Sequence, residues 1–387
     1  MAVRCVNLDW LEVYVIEPTE SRDEYYYSSL GYHVKSREYG TPMYKEMFTI
    51  MSEDNRPMYE IRRAPYSVKS SGGIFPDGAA HIRLTNRECY RPNAVVLLRE
   101  FLARHGYDFV SISRFDLCAD FNNFDNGHNP ADFLRRYLAG YYHKIGLSRV
   151  RLYGHDFDGG AHVVKLGRKV LKSAIVEHLG HQVCVHGRDK MRQLVFNSAR
   201  WGSPTSQVSV KLYDKTLELH EQKEKFHIRD AWRAAGIDQN KAVWRLEFQV
   251  NSSAKDWIWD EEGRVYNLTL RTLESPEALN FLWSCLAAKY FVFTRREETR
   301  NGTEQRKDRA ARYMPFKLDD AMPFYPTRLT SDKEPKRGME KFAQELYRFS
   351  QDGEHPASER IKADQILQYL AKFRISVPRQ LGIFFGR

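Results

Sequence analysis

Five cysteines are scattered through 387 residues (Cys5, Cys89, Cys118, Cys184 and Cys285), and no two form a Cys-x-x-Cys pair. An odd, dispersed set excludes a disulfide frame and a thiolate zinc site, and it reads as reduced thiols in a cytoplasm. The Asn-x-Ser/Thr triplets at Asn251, Asn267 and Asn301 are then chance matches. No apolar run reaches the roughly 18 residues a membrane helix needs, so no membrane partner is expected. Met1 to Asp9 holds no apolar stretch behind a basic start, which argues against a secretory signal. Internal repeats and low-complexity tracts are also missing, which leaves an ordinary globular organisation.

What is present points to a folded, basic protein. Hydrophobic residues make up 42%, enough for a real core. The length suits one large domain with an appendage, or two or three ordinary domains. Net charge is +10, which favours polyanions, nucleic acid first. Aromatics are 13%, with 22 Tyr and 22 Phe, and aromatic with basic residues suits single-stranded nucleic acid. Most of these rings are expected in the core.

Hydrophobic periodicity gives the elements. Strands are expected at Leu11 to Ile16, Glu46 to Met51, Met58 to Arg62 and His81 to Thr85, and a helix at Asn93 to His105, ended by Gly106. Val110 to Phe121 is a strongly patterned strand. Asn129-Pro130 opens a helix carrying Phe133, Leu134, Tyr137, Leu138 and Tyr141. Strands follow at Arg149 to Tyr153, Ala161 to Leu166, Gln182 to His186, Gln193 to Phe196 and Ser206 to Lys215. Thr216 to Ala235 reads as one charged helix closed by Gly236, Ala242 to Val250 as a strand, and Ser275-Pro276 as the start of a helix through Tyr290. These divide the chain into a domain over 1–294, a linker over 295–330, and a helical element over 331–387 with helices near Met339 to Phe349 and Ser358 to Phe373.

Three strands put chemical groups on one face and apolar groups on the other. From Arg114 to Phe121 one face holds Arg114, Asp116, Cys118 and Asp120. From Val208 to Lys215 it holds Ser209, Lys211, Tyr213 and Lys215, and from Val243 to Val250 it holds Arg245, Glu247 and Gln249. A single half-polar strand is ordinarily the wet side of a sheet. Three presenting Asp, Glu, Tyr, Lys and Arg together are harder to read that way, because acidic residues are poor strand formers.

The stretch Trp201 to Glu218 contains Tyr213-Asp-Lys-Thr-Leu-Glu218, and it resembles the Tyr-Asp-Lys-x-x-Glu motif of the replication initiation factor family. This family comprises staphylococcal-type plasmid rolling-circle initiators and related conjugative-element relaxases. Trp244-Arg-Leu-Glu-Phe248 resembles the following Arg-x-Glu strand, Arg114-Phe-Asp-Leu-Cys-Ala-Asp120 the upstream Arg-x-Asp-x-x-x-Asp strand, and Asp9-Trp10-Leu11 the opening of the domain. The four occur in order over about residues 9 to 251.

The resemblance implies an α+β fold with a relaxase-like, mainly antiparallel sheet flanked by helices. It implies a metal-dependent endonuclease and strand transferase that cuts one DNA strand, keeps the 5′ phosphate on a tyrosine and frees a 3′ hydroxyl. That tyrosine maps onto Tyr213, and Asp116, Asp120 and Glu247 become the expected ligands of Mg²⁺ or Mn²⁺. A hard divalent ion suits carboxylates and can bind a phosphate oxygen. A phenol titrates near about 10, and Lys211 and Lys215 on the same face should favour phenolate. Arg114 and Arg245 either clamp phosphate or neutralise the carboxylates. The His-hydrophobic-His metal pair of the other superfamily of nickers is not found. Expected partners are origin DNA, as a single strand or extruded hairpin, a host helicase and a second copy of the chain. A conjugative relaxase shares the chemistry, and a non-catalytic DNA-binding regulator or a basic protein with no nucleic-acid role remain the alternatives of other classes.

Overall fold

Period-two burial runs along the long strands. In the first, Leu11, Val13 and Val15 are wholly buried while Trp10, Glu12 and Tyr14 between them are partly exposed. The computed structural model describes residues 3–66, 76, 78–138, 141–147, 149–155, 161–166, 175–178, 182–184, 195–221, 225–251, 258–259, 265–266, 268–295 and 311–318.

The strands are β1 (Cys5–Ile16), β2 (His33–Ser36), β3 (Tyr44–Met51), β4 (Pro57–Pro65), β5 (Ala79–Leu84), β6 (Asp108–Phe121), β7 (Tyr142–Lys144), β8 (Val150–His155), β9 (Ala161–Leu166), β10 (Ile175–His178), β11 (Gln182–Cys184), β12 (Val195–Trp201), β13 (Val208–Asp214), β14 (Trp244–Asn251), β15 (Ile258–Trp259), β16 (Val265–Tyr266), β17 (Phe293–Arg295) and β18 (Ala311–Tyr313). The helices are α1 (Glu24–Ser29), α2 (Asn86–Cys89), α3 (Ala94–Arg104), α4 (Pro130–Leu138), α5 (Lys215–Glu221), α6 (Phe226–Ala235) and α7 (Pro276–Tyr290).

Thirteen strands form one sheet in the order β11-β10-β9-β8-β12-β13-β14-β6-β1-β5-β4-β3-β2. Its pairings are antiparallel, as in β1 with β5 and β6, and β14 with β13 and β6. The fold is therefore α+β, a mainly antiparallel sheet flanked by helices. A small sheet, β18-β17-β7, stands beside it.

One face of the central strands is apolar and covered by α7. Its Trp283 donates from Nε1 to the Leu246 carbonyl at 3.4 Å and meets the Phe248 ring at 6.1 Å. Ser275 caps this helix by accepting from Ala278 N, with Pro276 in the first turn, as the sequence predicts. Residues 311–318 belong to the same core: Ala311–Tyr313 pairs with β17, and Phe316, 2% exposed, packs on Phe121 and Trp283. They fall within the stretch read as a linker.

The charged helix expected over Thr216 to Ala235 is two helices, α5 and α6. Leu219, Ile228 and Trp232 all enter one buried cluster with Cys5, Ile237 and Val243. At about 100° per residue, an unbroken helix would set Leu219 about 180° away from Ile228. Interrupting the helix lets both face the same core.

By its contacts the chain divides into two units, Met1–Ser252 with Thr269–Ala321, and Ser253–Leu268 with Met322–Arg387. In the second, β15 and β16 form an antiparallel pair. The helical element expected over 331–387 lies outside the described residues. No helix among the described residues is long and apolar enough to cross a membrane. Cys5, Cys89, Cys118 and Cys285 are buried and in no disulfide.

Candidate active site

β13, β14, β6 and β1 lie side by side, and their register sets the site. Tyr213 stands opposite Arg245, and Arg245 opposite Asp120. In the next row Lys211 faces Glu247, and Glu247 faces Cys118. Gln249 faces Asp116 one step further. The alternate residues Leu117, Ala119, Leu212, Leu246 and Phe248 are buried on the opposite face, which fixes the polar set on this one.

The two ends of this polar face differ. At the closed end Arg245 is fully buried. Its Nε and Nη2 donate to the two oxygens of Asp120 at 2.6 and 2.7 Å. Nη1 reaches Asp9 at 2.7 Å, and Nη2 also reaches the Tyr90 hydroxyl at 2.8 Å. Trp232 of α6 donates from Nε1 to Asp120 Oδ2 at 2.7 Å. Burial disfavours the Arg245 charge, but Asp120 outweighs it and holds the guanidinium firmly protonated.

At the open end the Lys211 and Arg114 side chains are each 30% exposed. Lys211 Nζ donates to Glu247 Oε1 at 2.5 Å, and the Tyr213 hydroxyl donates to Glu247 Oε2 at 2.9 Å. Arg114 grips Asp116 with two hydrogen bonds, at 2.8 and 2.5 Å. Burial pushes the Asp116 carboxyl up to about 6, with Glu247 adding to the push against the pull of Arg114. Burial would raise Glu247 too, but Lys211 holds it below its ordinary value.

Lysines flanking Tyr213 should favour phenolate; the structure shows the reverse. Burial first, and the Glu247 charge second, push the phenol well above its ordinary value. Lys211 is taken by Glu247. Lys215, 1% exposed, pairs with Glu218 and lies 5.4 Å from the centre of the Tyr213 ring. Asp214 accepts from Leu217 N at 2.9 Å and so serves the start of α5.

Of the residues the sequence singles out, Tyr213, Lys211 and Glu247 are in direct contact, with Asp116 and Arg114 beside them. Asp120 and Arg245 pair with each other in the closed end. Among the described residues, no three His, Cys, Asp or Glu side chains converge as a metal cage. Sequence reasoning passed over Asp9, Asn86, Tyr90 and Trp232 as site residues. The Asp9-Trp10-Leu11 motif was the available signal for Asp9.

An α+β protein with a polar, half-open patch on a mainly antiparallel sheet is what the fold and site define. No sequence-family profile matches the chain, and no curated protein matches it by sequence. Among solved structures it is similar to the rolling circle replication initiator protein from Geobacillus stearothermophilus, with 14% identity and a TM-score of 0.41, over 82% of this chain and 100% of that one. A likeness at that level carries no argument.

Proposed function

We propose that this chain starts rolling-circle replication of a plasmid or mobile element by nicking one origin strand with Tyr213. One observation carries the reading: the Tyr213 hydroxyl donates to Glu247, itself held by Lys211, on the open side of a sheet. That is a nucleophile with its base within reach. The phenol oxygen attacks phosphorus as its proton passes to Glu247. The P–O3′ bond breaks, the 5′ phosphate stays on the tyrosine, and the 3′ oxygen leaves as a hydroxyl with a proton from solvent. Energy kept in the phosphotyrosine lets the strand be rejoined later.

Mg²⁺ or Mn²⁺ fits the open end without a closed cage. Such ions are commonly held by one or two carboxylates, with water and substrate phosphate filling the other positions. Glu247 and Asp116 are hard oxygen donors whose charges act on each other. Glu247 and Asp116 would hold such an ion, which would supply Lewis-acid stabilisation of the charge that develops on the phosphate. Arg114 and Lys211 orient the phosphodiester from either side of that pair. The reading assigns nicking to residues 1–294 and leaves 331–387 for contacts with DNA, a helicase or a second copy.

The test is a covalent one. Protein incubated with single-stranded origin DNA and Mg²⁺ or Mn²⁺ should give a denaturation-resistant adduct that Tyr213→Phe loses. An undiminished adduct in that variant would sink the assignment.

A further inference from the structure

Trp10 stands opposite Asp116 across the ladder between β1 and β6. It is therefore on the polar face, partly exposed, beside the open end of the site. The indole Nε1 is buried without an acceptor among the described residues. Hydrogen bonding thus gives no reason for a tryptophan here, and an unpaired buried donor counts against one. What the ring does have is two guanidiniums over it. Arg114 lies 4.4 Å from its centre and Arg83 4.2 Å. They come from β6 and β5, the strands on either side of β1, and both stand opposite Glu12. A planar guanidinium over an indole gains stacking and cation–π attraction together.

The two arginines are held in different ways. Arg83 Nη2 donates to Glu60 Oε2 at 2.6 Å, and the Glu60 side chain is only 5% exposed. Glu12, the acid opposite both, is taken by Arg62 at 3.3 Å. Arg114 has Asp116 as its acid, and its Nε and Nη2 use the two carboxylate oxygens. Nη1 makes no hydrogen bond among the described residues, and the Arg114 side chain is 30% exposed. One edge of this guanidinium is thus fixed by Asp116, the ring of Trp10 backs it, and Nη1 is left over. An arginine already fixed in this way can grip a phosphate without first losing its rotamer freedom.

We infer that Trp10 is a positioning residue: with Asp116 it holds the Arg114 guanidinium in place and leaves Nη1 for a phosphate of the bound strand. The inference rests on the nicking reading for its ligand. It makes Arg114 a phosphate clamp and more than a counter-charge for the carboxylates. It also gives the tryptophan of the Asp9-Trp10-Leu11 motif a task.

Single-strand binding, read by fluorescence anisotropy at several salt concentrations, tests this in a Tyr213→Phe chain. Binding is then measured apart from nicking. Arg114→Gln should weaken binding and flatten the log–log salt slope by about 0.7, the share of one phosphate on a single strand. Trp10→Leu removes no charge, yet it should weaken binding and flatten the slope toward the same value. The double variant should bind no more weakly than Arg114→Gln, because both changes remove one contact. Trp10→Phe keeps a smaller ring and should fall between the parent chain and Trp10→Leu. It carries the same comparison if thermal unfolding shows that Trp10→Leu does not fold. An unchanged slope in Trp10→Leu overturns the inference. So does a double variant weaker than Arg114→Gln, which would put Trp10 itself against a base. A chain that binds no single strand overturns the inference and the nicking reading together. A chain whose variants bind as expected, but whose Tyr213 forms no adduct, overturns the nicking chemistry and leaves Trp10 standing.

Discussion

His105 is 1% exposed, yet it is a titratable group. Its ring meets the hydroxyls of Tyr26 and Tyr32 at 3.0 and 3.3 Å and packs against Tyr27 and Phe101. Burial, helped by Arg104 and Arg22, lowers its pKa to about 4. The unfolded chain therefore takes up this proton first. The stability His105 contributes is present above about pH 6.5 and is lost as pH falls toward 4. Asp116, raised to about 6, works in the opposite direction. The measurement is thus a difference: between pH 7.5 and 5, wild type should lose about 2 kcal/mol more than His105→Gln in urea unfolding. Equal losses would show that the histidine is not held neutral. At the site itself, Glu247→Gln should lower nicking by about 100-fold or more while strand binding stays near wild type. Equal loss of both would make Glu247 structural. Glu247, Lys211 and Tyr213 were legible as site residues because strand alternation places them on one face. Their partners were not, since pairing depends on register between strands far apart in sequence. Asp9 was legible only as part of the Asp9-Trp10-Leu11 motif, since its pairing with Arg245 spans 236 residues and leaves no local signal.

Among elements, α7 was read most accurately. Ser275 and Pro276 announce its start by local chemistry alone, and the chain obeys. Ser275→Ala should cost about 1 kcal/mol, seen as a drop of about 1–2 °C in unfolding midpoint for a chain of this size. No drop would mean that Pro276 and packing alone set the helix start. The helix over Thr216 to Ala235 was misread because a charged run gives no signal of a break. The need for one comes from the cluster that Leu219, Ile228 and Trp232 share, which is a tertiary fact. Strands β2 and β10, four residues each, are too short for alternation to declare them.

For the whole molecule, the net charge of +10 bears on binding rather than on fold. If Arg114, Lys211 and Arg200, which stands opposite Lys211 on β12 and donates to Gln249, each contact a phosphate, single-strand affinity should fall with a log–log salt slope of about −2. Fluorescence anisotropy at several salt concentrations checks this, and a flat response would remove the phosphate contacts. The antiparallel class of the sheet came from the resemblance rather than from strand patterning, and neither reached the order of its thirteen strands. That order has a kinetic consequence. Arg245 meets Asp9 across 236 residues, and β1 joins β6 only after residues 17–107 have been made. Contacts this remote form slowly, because closure entropy comes before any reward. During synthesis β1 must wait for β14 before the clamp around Asp9 can close. Recovery of adduct formation after dilution from denaturant should therefore lag behind recovery of helical signal, making catalytic competence the last event of folding.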